Sequence, residues 1–439
     1  MRKLFAALFV FLSIYEPGLA QTDSLLQAAA VNREARLQWW REARFGMFIH
    51  WGPVSLVGTE ISWSRGGPRR GIESTGTGQV PVDTYDNLYK RFDPEKFNAE
   101  EWVSIAEAAG MKYMVLTAKH CDGFCLWHTK VDDYNIGSTP FKRDVCGELS
   151  AAAHNAGMRI GWYYSPMDWR DPDCRTERNS LYVKRMQTHL SELLGNYGRI
   201  DLLWFDTEGG PAVWDQNNTY HLVRSLQPGI IINNRLDIPT GDLHDVKTDI
   251  GPNADYATPE QQVGLFNDSI PWETCMTLGT QWSWKPDDSL KSAGDCIGIL
   301  VQCVTGDGNL LLDVGPMPDG RIEPRQVKIL KEIGLWLNKF GESIYATRGG
   351  PFKNGKWGGS TMSGNNVYIH IQHWNGDTLY LPALSAKILS STALTGGTSR
   401  VVQENNGTVI TMPLAEHDPL DTIVKLTLDR QASQAVVGD

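Results

Sequence analysis

Asp206 ends the run Leu-Leu-Trp-Phe-Asp at 202–206, an apolar stretch that reads as a buried strand carrying a carboxylate at its C-terminal tip. In a (β/α)8 barrel that end of a strand is where catalytic groups sit, which makes Asp206 the candidate nucleophile. Similar tips recur along the chain. His50 follows Gly-Met-Phe-Ile, and His120 with Cys121 follows Leu-Thr-Ala-Lys. Tyr164 closes Ile-Gly-Trp-Tyr-Tyr, and Arg235 follows Ile-Ile-Asn-Asn. Core packing alone rarely ends successive strands in His, His, Tyr, Asp and Arg. Two acids lie downstream, Glu260 in Thr-Pro-Glu and Glu273 in Trp-Glu-Thr.

Taken singly, each of these residues has a plainer reading. A lone His is most often a hydrogen-bonded core residue, Arg235 can simply pair with a neighbouring Asp, and Glu260 can open a helix after its proline. Together they describe a cavity suited to a neutral sugar, with charged groups to orient hydroxyls and indoles to cover an apolar face. A pair of carboxylates is what glycoside hydrolysis needs: one ionised to attack, one protonated for the leaving oxygen. Arg235 near Asp206 would favour the ionised form. The sequence has no His-x-His or His-Glu-x-x-His spacing, so no metal site is expected.

These groups need a scaffold to hold them. Over about 40–345, short apolar runs alternate with helical patterns. Strands are expected at 46–50, 112–116, 159–164, 200–206, 230–233 and 309–314. Between the first two, 98–109 reads as a helix with Asn98 as cap and Gly110 as terminator; further helices are expected at 180–194 and 324–340. Repeated β-then-α units imply a parallel sheet with right-handed crossovers. The fold class is therefore α/β, a (β/α)8-like barrel, with an open doubly wound sheet as the alternative. No Gly-x-Gly-x-x-Gly follows a strand, which weakens a dinucleotide-binding version of that alternative. From about 350 the pattern changes to period two, with Asn-Gly turns at 375–376 and 406–407, the signature of a small antiparallel β-sandwich.

The net charge of −10 over 439 residues argues against nucleic acid or an anionic membrane surface as partner. Arg2 and Lys3 before the apolar run 4–14, then Gly18-Leu19-Ala20, read as a secretory signal over 1–20. The expected organisation is 1–20 signal, 21–346 catalytic barrel and 347–439 β-sandwich. Beyond the signal no run is apolar and long enough to span a bilayer, so an exported protein is expected, periplasmic or extracellular, or lysosomal in a eukaryotic host. Seven cysteines are an odd number in a chain with room for a large core, and they read as buried thiols.

The motifs resemble those of the α-L-fucosidases of glycoside hydrolase family 29. They are Phe-Gly-Met-Phe-Ile-His-Trp-Gly-Pro at 45–53, Leu-Thr-Ala-Lys-His at 116–120, Asp-Gly-Phe-Cys-Leu-Trp at 122–127, Tyr-Tyr-Ser at 163–165, Trp-Phe-Asp at 204–206 and Gly-Asn-Leu-Leu-Leu-Asp-Val-Gly-Pro at 308–316. The resemblance implies retaining hydrolysis of a terminal α-L-fucose on a fucosylated oligosaccharide or glycoconjugate, through a covalent glycosyl-enzyme and with no cofactor; it leaves the oligomeric state open. It also implies Asp206 as nucleophile, and His50, His120, Tyr164, Trp204 and Arg235 as residues holding the sugar. The acid/base position varies across the family. Glu260, expected on a mobile loop over the pocket, is the choice, and Glu273 is the runner-up with a supporting role expected for it. Two departures stand out. Cys121 occupies the place of a second family histidine, and the family's Glu-Trp pair is rearranged as Glu60-Ile61-Ser62-Trp63, with Trp63 expected to keep the stacking role. These changes leave room for a related sugar, and a catalytically silent sugar-binding protein is the third reading.

Overall fold

The computed structural model describes residues 17–69, 78–206, 210–237 and 250–438, with the backbone alone described at 17–23 and 211. Most of the segment read as a signal, residues 1–16, lies outside the described residues.

Among the described residues, seven parallel strands form one curled sheet: β1 (Phe45–Ile49), β2 (Tyr113–Lys119), β3 (Arg159–Tyr164), β4 (Leu202–Phe205), β5 (Ile231–Ile232), β6 (Glu273–Thr277) and β7 (Asn309–Val314). Their order is β5-β4-β3-β2-β1-β7-β6. The two edges, β5 and β6, meet through residues 255–261. Asp255 N–H donates to the Ile232 carbonyl at 2.7 Å and Asn233 bridges Tyr256 on one side. On the other side Glu273 N–H donates to Ala257 at 2.9 Å, Cys275 N–H to Pro259 at 3.2 Å, and Gln261 N–H to Cys275 at 3.0 Å. This irregular eighth wall completes the (β/α)8-like barrel. Glu260, expected on a loop over the pocket, sits in this wall opposite Cys275, with Pro259 and Gln261 on either side of it bonded to β6.

Side chains alternate across each strand, so every second residue faces the barrel interior. Phe48, Tyr113, Val115, Tyr163, Leu202, Trp204, Ile231, Tyr256, Cys275 and Leu311 fill that interior. Leu37, Trp40 and Ala43 of the helix Arg33–Ala43 join them as a plug. The opposite faces, including Met47, Leu116, Trp162, Tyr164 and Leu203, pack into the larger cluster shared with the surrounding helices. Those helices carry the expected caps. Asn98 accepts from Glu101 N–H at 3.0 Å to begin Ala99–Ala108, and Pro324 opens Pro324–Phe340. Strand β6 and the helix Ala293–Thr305, with its Ser292/Asp295 capping box, are additions to the sequence reading.

From Arg348 onward eight antiparallel strands form two sheets. β8 (Arg348–Gly349), β9 (Gly358–Ser363), β10 (Asn366–Ile371), β12 (Ile388–Ala393) and β15 (Thr422–Leu428) make the larger one. β11 (Thr378–Leu381), β13 (Arg400–Glu404) and β14 (Gly407–Thr411) make the smaller. A separate apolar core of Val367, Ile369, Leu379, Ile410, Val424 and Leu426 lies between them.

Candidate active site

Alternation along the strands decides which tips point inward. On β4 the inward residues are Leu202 and Trp204, and the next in phase is Asp206. On β1 Phe48 leads to His50 in the same way, and on β7 Leu311 leads to Asp313. On β3 the inward residue is Tyr163, register partner of Trp204. Of these, His50, Tyr163, Trp204 and Asp206 line one pocket with Trp63, His120, Cys121, Met167, Arg235, Glu260, Cys275 and Trp282, and Asp313 stands behind His50.

Tyr164 does not belong to it. It faces outward, fully buried, with its hydroxyl 3.0 Å from His189 Nδ1 on the helix Asn179–Gly195. The Tyr-Tyr-Ser motif therefore contributes its first tyrosine to the pocket. Tyr163 Oη donates to Asp206 Oδ2 at 2.7 Å, and its ring stacks on His120 with centroids 5.2 Å apart. Trp282 is another residue that the sequence reading missed, as it missed Met167 and Cys275. It leans on His50 with ring centroids 4.8 Å apart, from a Trp-rich loop with no regular period to mark it.

Arg235 is the electrostatic centre. Its Nη1 donates to Asp206 Oδ1 at 2.7 Å and its Nη2 to Glu260 Oε2 at 2.8 Å. Nε donates to Thr258 Oγ1 at 3.0 Å, and the guanidinium lies over Trp204 at 4.4 Å. Arg235 is 2 % exposed, so it acts where water screens little, while Asp206 and Glu260 reach the pocket at 23 % and 24 %. Burial pushes the Asp206 carboxyl up, but Arg235 and the Tyr163 hydroxyl outweigh it and hold it below the usual carboxylate range. The two carboxylates keep the guanidinium protonated against its own burial.

For the histidines burial is the largest influence. Burial lowers both His50 and His120. His50 Nδ1 sits 2.6 Å from Asp313 Oδ1, and burial with the nearby Glu60 charge raises Asp313 well above its ordinary value. His120 Nδ1 is 2.6 Å from Ser62 Oγ. The Cys121 thiol, raised by burial, meets Ser165 Oγ at 3.2 Å. Trp63, 37 % exposed, stands at the rim with its edge on Trp169.

Glu273 lies away from this pocket, inside the barrel. Its Oε2 accepts from Tyr113 Oη and from Trp40 Nε1, the latter at 3.0 Å, and burial raises its carboxyl to about 7. Glu60, of the rearranged Glu-Trp pair, holds backbone. Its carboxylate accepts the N–H groups of Ile61 at 2.9 Å and Trp282 at 3.0 Å, tying two pocket loops together.

A barrel mouth that presents two carboxylates on one guanidinium, ringed by aromatic and imidazole groups, fits a glycoside hydrolase. Comparison with known proteins narrows this. Residues 16–342 match the family described as Alpha-L-fucosidase, and the chain belongs to it. It is 31 % identical over 367 residues to the tissue alpha-L-fucosidase of Bos taurus, covering 76 % of this chain and 75 % of that one. Among solved structures, alpha-L-fucosidase isoenzyme 1 from Paenibacillus thiaminolyticus superposes with a TM-score of 0.78 at 32 % identity, covering 90 % of this chain and 99 % of the other. The trapped covalent intermediate of a Bacteroides thetaiotaomicron alpha-L-fucosidase, formed with 2-fluoro-fucosyl fluoride, gives a TM-score of 0.75 at 26 % identity, over 90 % of this chain and 96 % of that chain.

Proposed function

We propose that this protein is an exported retaining exo-α-L-fucosidase that removes terminal α-L-fucose from fucosylated oligosaccharides or glycoconjugates. The observation that carries the reading is the single guanidinium of Arg235 bonded to both Asp206 and Glu260. Retaining glycosidases hold their two carboxyls about 5–5.5 Å apart, inverting ones roughly 6.5–9.5 Å. Two carboxylates on neighbouring nitrogens of one guanidinium fit the closer arrangement.

In this mechanism Asp206 attacks the anomeric carbon while Glu260 gives a proton to the departing glycosidic oxygen. Glu260 then takes a proton from water as that water displaces Asp206 and frees the sugar. Arg235 and Tyr163 hold the Asp206 carboxylate ionised and aimed. His50, His120 and Trp204 orient the sugar, and Trp63 covers it at the rim. Glu273 keeps a supporting place beneath the floor.

Release of 4-nitrophenol from its α-L-fucoside, measured beside the β-galactoside, tests this directly. Turnover of the fucoside that vanishes in Asp206→Ala, with fucose binding retained, supports the reading. Unchanged turnover in that variant sinks the mechanism. Comparable turnover of the galactoside favours a broader specificity, for which Cys121 in the pocket wall is the supporting observation: a thiol is a weaker hydrogen-bond partner than imidazole.

A further inference from the structure

Ser62 is a buried serine with φ of +55°, a left-handed backbone that non-glycine residues adopt at a cost. Strain of this kind persists where surrounding contacts over-determine it, and here the contacts are directional. Ser62 N–H donates to Tyr85 Oη at 2.8 Å, and that hydroxyl donates to Asp122 Oδ2 at 2.6 Å. Asp122 N–H returns to Ser62 Oγ at 2.9 Å. Ser62 Oγ therefore already accepts an N–H. Among the described residues, the partner within reach of its own hydroxyl proton is His120 Nδ1, 2.6 Å away, and the bond runs that way in the tautomer that leaves Nδ1 unprotonated. A ring nitrogen that accepts at Nδ1 carries its proton on Nε2.

We propose that Ser62 is a positioning residue that fixes His120 with its proton on Nε2, so that the imidazole meets the substrate as a hydrogen-bond donor. The sugar oxygen facing His120 is then received as an acceptor. The assignment rests on the site read above as a sugar pocket, and it deepens that reading by giving the polarity of one contact. The left-handed turn serves the same end. It lets one residue point its N–H at Tyr85 and its hydroxyl at His120, between Glu60, which holds the Trp282 loop, and Trp63 at the rim. The chain Ser62–His120–Tyr163–Asp206 links this turn to the nucleophile through one hydrogen bond, one ring stack and one further hydrogen bond.

The test separates function from structure because strain and hydrogen bond can be removed independently. Ser62→Gly relieves the backbone and loses the hydroxyl; Ser62→Ala keeps the strain and loses the hydroxyl. The expected result is a drop of about tenfold in kcat/KM for the 4-nitrophenyl α-L-fucoside in both variants, the worth of one such bond. The melting temperature of Ser62→Gly should stay at or above that of the parent, whereas Ser62→Ala should melt lower. Nitrogen-15 NMR of the histidine rings in the intact parent protein should give His120 an unprotonated Nδ1 and a protonated Nε2. Each variant should lose that fixed pattern. A parent ring protonated at Nδ1 overturns the proposal, as does a Ser62→Gly enzyme with unchanged kcat/KM. The tautomer can be read without turnover, so a protein inactive on the fucoside would refute the activity while leaving this assignment to stand or fall on the spectrum.

Discussion

Replacing Arg235 with methionine removes the positive charge shared by Asp206 and Glu260 while keeping a side chain of similar length. In the parent, burial raises the Asp206 carboxyl and Arg235 is the largest influence opposing it. Without the guanidinium, burial is opposed by the Tyr163 hydroxyl and by His120, and the adjacent Glu260 becomes an uncompensated neighbour. The lost contact is a charge-assisted hydrogen bond of 2.7 Å to a carboxylate 23 % exposed. Such bonds contribute about 1.5–3 kcal/mol. At about 1.4 kcal/mol per unit, the acidic limb of the kcat/KM profile should move up by roughly 1–2 pH units. The direction is fixed by the chemistry: the nucleophile works ionised, so raising its pKa costs activity at the acid end first. Arg235→Lys keeps a charge that cannot bridge both carboxylates, and its limb should fall between those of parent and Arg235→Met. The assay is a pH series on the 4-nitrophenyl fucoside, with the melting temperature of each variant recorded alongside. A folded Arg235→Met enzyme whose acidic limb stays in place would refute the role assigned to Arg235.

Tyr163→Phe should lower kcat/KM by about tenfold through loss of its hydrogen bond to Asp206. Tyr164→Phe should leave kcat/KM within about twofold and cost roughly 1 kcal/mol of stability through loss of the His189 contact, measured by denaturant titration. Glu273, raised by burial to about 7 from an ordinary 4.5, stays protonated in the folded state where the unfolded chain is ionised. Its contribution to stability therefore falls as pH rises from about 4.5 to about 7, and Glu273→Gln should flatten the decline in melting temperature between pH 5 and pH 8. A variant with the parent's slope would show that Glu273 is ionised throughout that range.

The strands that position the site were legible because each is a run of apolar residues, and β7 was read with its ends as they stand at 309–314. β6 escaped because it opens on a buried glutamate and includes two threonines, so its composition gives no apolar run. The wall at 255–261 escaped for a different reason: it holds to its neighbours by scattered bonds, and no period marks such a segment. Asp206, Arg235 and the two histidines stood out as polar tips on apolar runs. Between Tyr163 and Tyr164 the choice needed phase as well as composition. Counting by twos from Trp204, through its register with Tyr163, gives the inward residue. Trp282 and Ser62 lie on irregular loops, where chain position says little about which side chains meet across space.

The eighth wall of the barrel has a consequence for how the molecule comes apart. β2 is paired along both sides, whereas 255–261 meets β5 and β6 through separate bridges. Segments with so few backbone bonds open at a lower free energy than the global unfolding event. Amide protons at 255–261 should therefore exchange with solvent sooner than those at 113–119, and warming should release this seam first. Glu260 rides on the seam and Asp206 on the well-laddered side, so gentle heating should silence the acid/base while the nucleophile still stands in folded surroundings. Loss of activity would then precede loss of the fold, and cooling should restore it.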